Sequence, residues 1–193
     1  MKIAVVKYNA GNTCSLSYAL ERIGVDVVVT EDERELRRAD KVVFPGVGEA
    51  SSAMEYLRER NLDNVLRSLT QPFLGICLGL QLMCSHSEEG DVDCLGIFPQ
   101  RVRAFRPVMK VPQIGWNNLL ELQSPLFKNL EEVPYVYFVH GYYAELGEGT
   151  IARANYILDY SAALHRDNFY ATQFHPEKSG KVGEQILRNF IEL

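Results

Sequence analysis

Gly75-Ile76-Cys77-Leu78-Gly79 holds the residue types and spacing best suited to chemistry in this sequence. A cysteine stands between glycines at i−2 and i+2, where the apolar run Phe73-Leu74-Gly75-Ile76 gives way to a helical pattern from Leu78. That is the form of a nucleophile elbow, with cysteine in the place of serine. A tight strand-to-helix turn brings positions i−2 and i+2 together, so neither tolerates bulk. The nucleophile is held in a strained backbone conformation at a helix N-terminus, where the dipole favours thiolate. An isolated cysteine is ordinarily a buried core residue; the paired glycines favour a nucleophile. Cys84, seven residues on, lacks that context and reads as core.

A nucleophilic cysteine needs a general base, and Gln173-Phe174-His175-Pro176-Glu177 supplies one. Pro176 pushes His175 into an extended conformation. Residues i and i+2 of an extended segment face the same way, so Glu177 is expected to orient the His175 imidazole as the third member of a triad. The other histidines are weaker candidates. His165 lies in a strand without a carboxylate at i+2 in that strand, His86 near a helix end where it should be exposed, and His140 in an apolar strand as a structural residue. Acyl transfer also requires an oxyanion hole. Its expected donors are the backbone N–H of Leu78 and one from Pro45-Gly46-Val47-Gly48, with Val47 the expected residue. Glycines on both sides would let a peptide plane of that loop rotate at low steric cost, gating catalysis.

The elements that must position these groups follow from periodicity. Ile3–Val6, Val25–Val29, Lys41–Phe44 and Phe73–Ile76 read as strands, the third stopping at Pro45-Gly46. Leu16, Ala19, Leu20 and Ile23 have helical spacing, as do Leu62, Val65, Leu66 and Leu69. Gly24 is a helix-ending glycine, and Asn9-Ala10-Gly11-Asn12 is a loop. Such alternation predicts an α/β fold, with a mostly parallel open sheet covered by helices on both faces. In the second half, Val102–Phe105, Tyr135–Val139, Ser161–His165 and Phe169–Phe174 are strands without intervening helices, which predicts added antiparallel strands. Val182, Ile186, Leu187 and Phe190 form a last amphipathic helix. No repeat or linker interrupts the chain, so residues 1–193 are expected to form a single domain.

Composition narrows the classes. With 47% hydrophobic residues in 193, the chain has enough apolar material for a sizeable core. A net charge of −5 argues against a nucleic-acid binder. The densest basic group, Arg101, Arg103 and Arg106, reads as a solvated strand face. No apolar run approaches the ~20 residues of a membrane span. The N-terminus reads as a strand rather than a signal peptide, so a cytoplasmic location is expected. The four cysteines show no metal spacing and should be free thiols in a reducing cytosol. The four histidines are dispersed, so neither a metal nor a cofactor is expected. The chain has no Walker-type loop or dinucleotide fingerprint and little length for a second substrate site.

Cys77, His175 and Glu177, set in Gly75-Ile76-Cys77-Leu78-Gly79-Leu80-Gln81 and His175-Pro176-Glu177-Lys178, resemble the class I glutamine amidotransferases. Pro45-Gly46-Val47-Gly48, Ile114-Gly115-Trp116-Asn117, Tyr137-Phe138-Val139-His140 and the opening Tyr8-Asn9-Ala10-Gly11-Asn12 are most similar to the glutaminase subunits of imidazole glycerol phosphate synthase within that family. The resemblance covers essentially the whole chain. It implies hydrolysis of glutamine through a Cys77 thioester, giving glutamate and ammonia. It also implies a heterodimer with a (β/α)8-barrel cyclase subunit, which uses the ammonia to form imidazole glycerol phosphate and an aminoimidazole carboxamide ribonucleotide in histidine biosynthesis. By the same resemblance Gln81, Glu89 and backbone groups around Gly48, Gly141 and Tyr142 hold glutamine, while Trp116, Asn117, Tyr137 and Lys178 lie towards the cyclase. Two positions depart from the family pattern. Glycine stands at 141 where a hydroxyl residue is common, and Lys7-Tyr8-Asn9 replaces an acidic-Tyr-Gly opening. The alternatives are another class I amidotransferase, a cysteine peptidase or esterase on a similar sheet, or an inactive interaction module. The segments 45–48 and 115–117 disfavour the first, and the intact Cys, His and Glu set disfavours the last.

Overall fold

The chain opens with β1 (Lys2–Val6), whose last four residues are buried. It continues through α1 (Thr13–Arg22), β2 (Asp26–Thr30), α2 (Glu33–Arg38), β3 (Lys41–Gly46), α3 (Ala50–Glu59), α4 (Leu62–Arg67), β4 (Phe73–Cys77) and α5 (Leu78–Met83). These elements come from a computed structural model, which describes residues 1–11 and 13–193. Asn12, the end of the expected opening loop, lies outside the described residues. The second half runs through β5 (His86–Ser87), β6 (Val92–Asp93), β7 (Arg101–Ala104), β8 (Gln113–Asn118), β9 (Tyr135–His140), β10 (Tyr142–Ala144), β11 (Thr150–Tyr156), β12 (Leu158–Arg166) and β13 (Phe169–Thr172) to α6 (Gly180–Glu192).

Strands β2-β1-β3-β4-β13 pair in parallel. Beyond β13 the sheet continues antiparallel through β12, β10 and β7, with β11 on β12 and the short β5 and β6 at the far edge. β8 and β9 form a separate antiparallel pair. The expected parallel sheet with added antiparallel strands is therefore present, and β13 is the joint: it runs parallel to β4 and antiparallel to β12. Helices cover both faces. Leu36, Met54, Leu57, Leu66 and Leu80 pack one side, while Leu16 and Leu20 of α1 and Ile186, Leu187 and Phe190 of α6 pack the other. No helix among the described residues is long and apolar enough to cross a membrane.

Several local expectations change. β3 does not stop at Phe44: Pro45 and Gly46 stay in register with Ile76 and Cys77. The ladder to β1 ends at Val43, so Pro45 lies where β3 has a partner on one side only, and its missing N–H is tolerated. α2 carries one buried apolar residue, Leu36, too few for a periodicity to show. Its readable signal is Asp32, whose side chain accepts from Arg34 N and Glu35 N as an N-cap. α3, with Ala53, Met54 and Leu57 buried, is capped by the Glu49 side chain. β8 and β11 were not anticipated either, and the final strand ends at Thr172 rather than Phe174. His86 lies just past the end of α5, as expected, but is not exposed. It belongs to β5, half-buried between the Asp91 and Asp93 carboxylates.

Candidate active site

In the elbow, Cys77 adopts φ +56°, ψ −109°, a conformation that costs a non-glycine residue about 1–3 kcal/mol. β4 holds it there because it is paired on both sides, to β3 and to β13. The flanking glycines are required by close approach. A Cβ on Gly75 would lie 2.4 Å from Met83 Sδ and 3.1 Å from the Gly79 carbonyl carbon and oxygen. A Cβ on Gly79 would lie 2.0 Å from the Phe44 carbonyl oxygen. Gly79→Ala is therefore expected to push α5 off β3 and lower the melting temperature by several degrees, since overpacking costs roughly 1–3 kcal/mol even where side chains can adjust. A thermal melt equal to that of the wild type would show that the elbow tolerates the methyl group.

α5 spans only six residues, so few aligned peptides contribute to a dipole at Cys77, and side chains carry most of the local electrostatics. His175 caps the 3-10 turn Pro176–Lys178 in an extended conformation, φ −97°, ψ 97°. Its backbone is pinned to β9: His175 N donates to Tyr137 O at 2.9 Å, and Ser179 Oγ donates to His175 O at 2.6 Å. Nδ1 meets Glu177 Oε1 at 2.8 Å, with both side chains 4% exposed. The pairing is as expected from the sequence, but the route differs. Glu177 folds back on the 3-10 turn instead of following an extended segment. Its other oxygen, Oε2, is buried without a partner among the described residues.

Burial pulls the His175 imidazole towards its neutral form, but the neighbouring Cys77 and the Glu177 carboxylate outweigh it and push the pKa up to about 10. His140 shows the opposite balance. Burial lowers it to about 4 against a hydrogen bond to the Tyr142 carbonyl. Both ring nitrogens are engaged, Nδ1 at 2.7 Å from Tyr142 O and Nε2 at 3.0 Å from the Gln113 side-chain amide. His175 is thus the imidazole available for proton transfer, and His140 is tied into the wall.

A cleft of about 280 Å³ joins these groups, lined by Val47, Gly48, Cys77, Leu78, Gln81, Glu89, Gly141, Tyr142, His175 and Lys178, with Pro112, Val139 and His140. It opens near the carboxyl ends of β3 and β4. In this parallel half, β1 sits between β2 and β3 and the chain reverses its direction of growth; ligands of such sheets bind at the carboxyl ends near that point. Glu177 stands behind His175 and does not line the cleft. Leu78 begins α5, where N–H groups have no acceptor inside the helix.

The loop after β3 needs its glycines for different reasons. Gly48 adopts φ +126°. Gly46 shows no such conformation, but a Cβ there would lie 2.5 Å from Tyr8 Oη and 2.6 Å from Leu78 Cβ. A positive φ is thus what favours glycine at 48, and close approach at 46. A Cβ on Gly141 would meet only Val111 and Pro112 at ordinary distances, 3.7 and 3.9 Å. Space does not demand glycine at this departure from the family pattern.

Gln81 Nε2 is spent on Tyr142 O (3.0 Å) and Gln173 Oε1 (3.1 Å). Glu89 accepts from Ala50 N at the start of α3, and burial raises its pKa against that bond. Of the residues expected at a partner surface, Trp116 is 55% exposed and packs edge-on against half-buried Tyr137 on the outer face of β8–β9. Lys178 lines the cleft itself. Asn117 departs from the group. It alternates to the other side of β8, and its amide donates to Asn155 O. Residues given no role from sequence include Ile114 and Tyr135, exposed on the Trp116 face, and Tyr8, whose hydroxyl donates to Pro45 O. Gln173 was missed as well. Its place two residues before His175 was the available signal.

The class-I glutamine amidotransferase family pattern matches residues 4–193. The chain is 58% identical to a protein of Bacteroides fragilis named imidazole glycerol phosphate synthase subunit HisH, with all of both chains covered. Proteins of the same name from Bacteroides thetaiotaomicron and Idiomarina loihiensis are 56% and 43% identical, covering all of this chain and 100% and 98% of theirs. Among solved structures, a putative GMP synthase component from Thermoplasma acidophilum superposes with a TM-score of 0.78 at 24% identity, over 100% of this chain and 92% of that one, a likeness of fold. Matched along nearly its whole length, this chain belongs to the class-I glutamine amidotransferase family.

Proposed function

We propose that the chain is the glutaminase subunit of imidazole glycerol phosphate synthase, a single cytosolic domain that hydrolyses glutamine to glutamate and ammonia. The observation that carries this reading is Cys77 at a strained, positive φ, with the buried His175–Glu177 pair acting beside it in a cleft of amino-acid size. His175, held as the imidazolium beside Cys77 and Glu177, keeps the proton the thiol has given up, and the thiolate Sγ attacks the side-chain carbonyl of glutamine. Backbone N–H groups of Leu78 and Val47 receive the oxyanion. The imidazolium then protonates the departing ammonia, leaving a thioester on Cys77. His175 next activates water, and glutamate leaves. Gly48, Gln81, Glu89, Gly141 and Tyr142, all in the cleft wall, hold the substrate. A cleft of about 280 Å³ suits a free amino acid better than a polypeptide.

Ammonia needs an acceptor, and a cyclase subunit with a (β/α)8 barrel is the proposed one, by family resemblance and by the subunit names of the relatives. Ile114, Trp116 and Tyr135 expose an apolar face on β8–β9, and Val139 of the same β9 lines the cleft. A partner seated there, with Tyr137 and Lys178 at its edge, lies next to the chemistry. Reconstitution with the cognate cyclase is expected to give glutamine-dependent turnover, whereas the cyclase alone should need ammonium salts. The gate reading adds a kcat that rises about 10²–10³-fold with liganded cyclase, with a smaller change in KM. Gly48→Val should alter that ratio; Gly46→Val is a poor probe because it clashes whatever the loop does. Glutamine turnover by the cyclase alone would overturn the pairing. Equal kcat with and without the liganded partner would remove the gate.

A further inference from the structure

Gln173 is fully buried just past β13. Its backbone N donates to Ala162 O at 2.8 Å, and its side-chain Nε2 lies 3.7 Å from Cys77 Sγ, positioned to donate. The polarity of that contact is set from a distance. A backbone carbonyl can only accept, so Tyr142 O holds the NH2 end of Gln81 towards it, at 3.0 Å. The same Gln81 Nε2 donates to Gln173 Oε1 at 3.1 Å. Turning the Gln173 amide over would set NH2 against NH2, so its Nε2 faces the sulfur. The thiol has its own acceptor, Val139 O at 3.6 Å, which a thiolate no longer uses.

We propose that Gln173 is a further residue of this site, donating a hydrogen bond that positions the Cys77 sulfur and stabilises its thiolate, with Gln81 and Tyr142 of the cleft wall fixing the donor. The inference rests on the reading of Cys77 as nucleophile. A donor aimed at a sulfur favours its charged form. The chain Tyr142–Gln81–Gln173–Cys77 also ties the wall that meets substrate to the reacting atom. The titratable groups around Cys77 are His175 and Tyr8, with Glu177 behind His175, and Glu89, Lys178 and neutral His140 in the cleft. None of them is altered by a change at 173.

Gln173→Met keeps length and volume but removes the donor. In the full-length chain, iodoacetamide labelling of Cys77 is followed against pH by mass spectrometry of its peptide. The midpoint in the variant is expected to rise by about one unit, a tenfold lower thiolate fraction on the acid side. In the wild type, the Gln173 side-chain amide protons, followed by NMR, should move with the same midpoint; this arm needs no folded variant. An unchanged midpoint in a folded Gln173→Met protein, or amide protons indifferent to pH, overturns the inference. Turnover of glutamine by Cys77→Ser would instead remove the nucleophile itself, and the two failures are thereby distinguished.

Discussion

Cys77→Ser is expected to eliminate glutamine hydrolysis, with a loss on the order of 10⁵-fold or more in kcat, while the protein stays folded. The size follows from the unit-like behaviour of such sites, where removing the nucleophile costs nearly as much as removing the whole set. Serine places an oxygen where the sulfur stood, but an alcohol gives up its proton far less readily than a thiol. Cys77 is buried at the end of β4, and serine is no larger, so the elbow should close around it. The complex of the variant with its cyclase should still make product from ammonium salts. The measurement is glutamate release in a single turnover, beside a thermal melt. An electrophilic glutamine analogue should label Cys77 and spare Cys14, Cys84 and Cys94. Hydrolysis within tenfold of the wild type, or labelling elsewhere, would disprove the assignment of Cys77.

Glu177→Gln should give the second-largest loss, about 10³–10⁴-fold in kcat with KM little changed, because the carboxylate touches the imidazole and not the substrate. An amide fits the same space, but it carries no charge and offers only one acceptor in place of two. Stability should respond to pH as well. The folded His175 is raised from 6.5 to about 10 by Cys77 and Glu177, against burial. Its protonated form is therefore favoured by folding. That contribution is complete below about pH 6.5 and disappears as pH rises through about 10. Removing the Glu177 charge shrinks the shift. The stability advantage of wild type over Glu177→Gln should accordingly be largest near pH 6 and fade towards pH 10, as measured by chemical denaturation across that range. An advantage that grows with pH would reverse the assigned sign and exclude an imidazolium at position 175.

What was legible in the sequence is local. Gly75, Cys77 and Gly79 announced themselves because the elbow is a five-residue device, and the clash that forbids a Cβ at Gly75 comes partly from Gly79 four residues on. His175 and Glu177 are two residues apart, so their pairing could be anticipated even though the backbone between them turns instead of extending. β1, β3 and β4 could be read because they are buried on both faces and nearly continuous in apolar residues, and β2, half-exposed at the sheet edge, by its run of valines. Short elements with few buried side chains, such as α2, left too weak a period to see.

Only the tertiary structure decided which distant groups meet the sulfur. Cys77 lies 62 positions from Val139 and 96 from Gln173, and Gln81 lies 61 from Tyr142. No spacing rule reaches that far, since these contacts exist only because β13 inserts beside β4 and β9 pins the backbone of His175. The same holds for the glycine at 46, which looked like a hinge and proved to be a point of close approach. Trp116 and Asn117 are neighbours in sequence, yet the alternation of β8 sends the indole outward and commits the amide to Asn155. Residue types and short spacings determined which chemistry this chain can perform. The pairing of strands remote in sequence determined which side chains surround it, because contacts at long separation depend on how the whole sheet closes and not on any local preference.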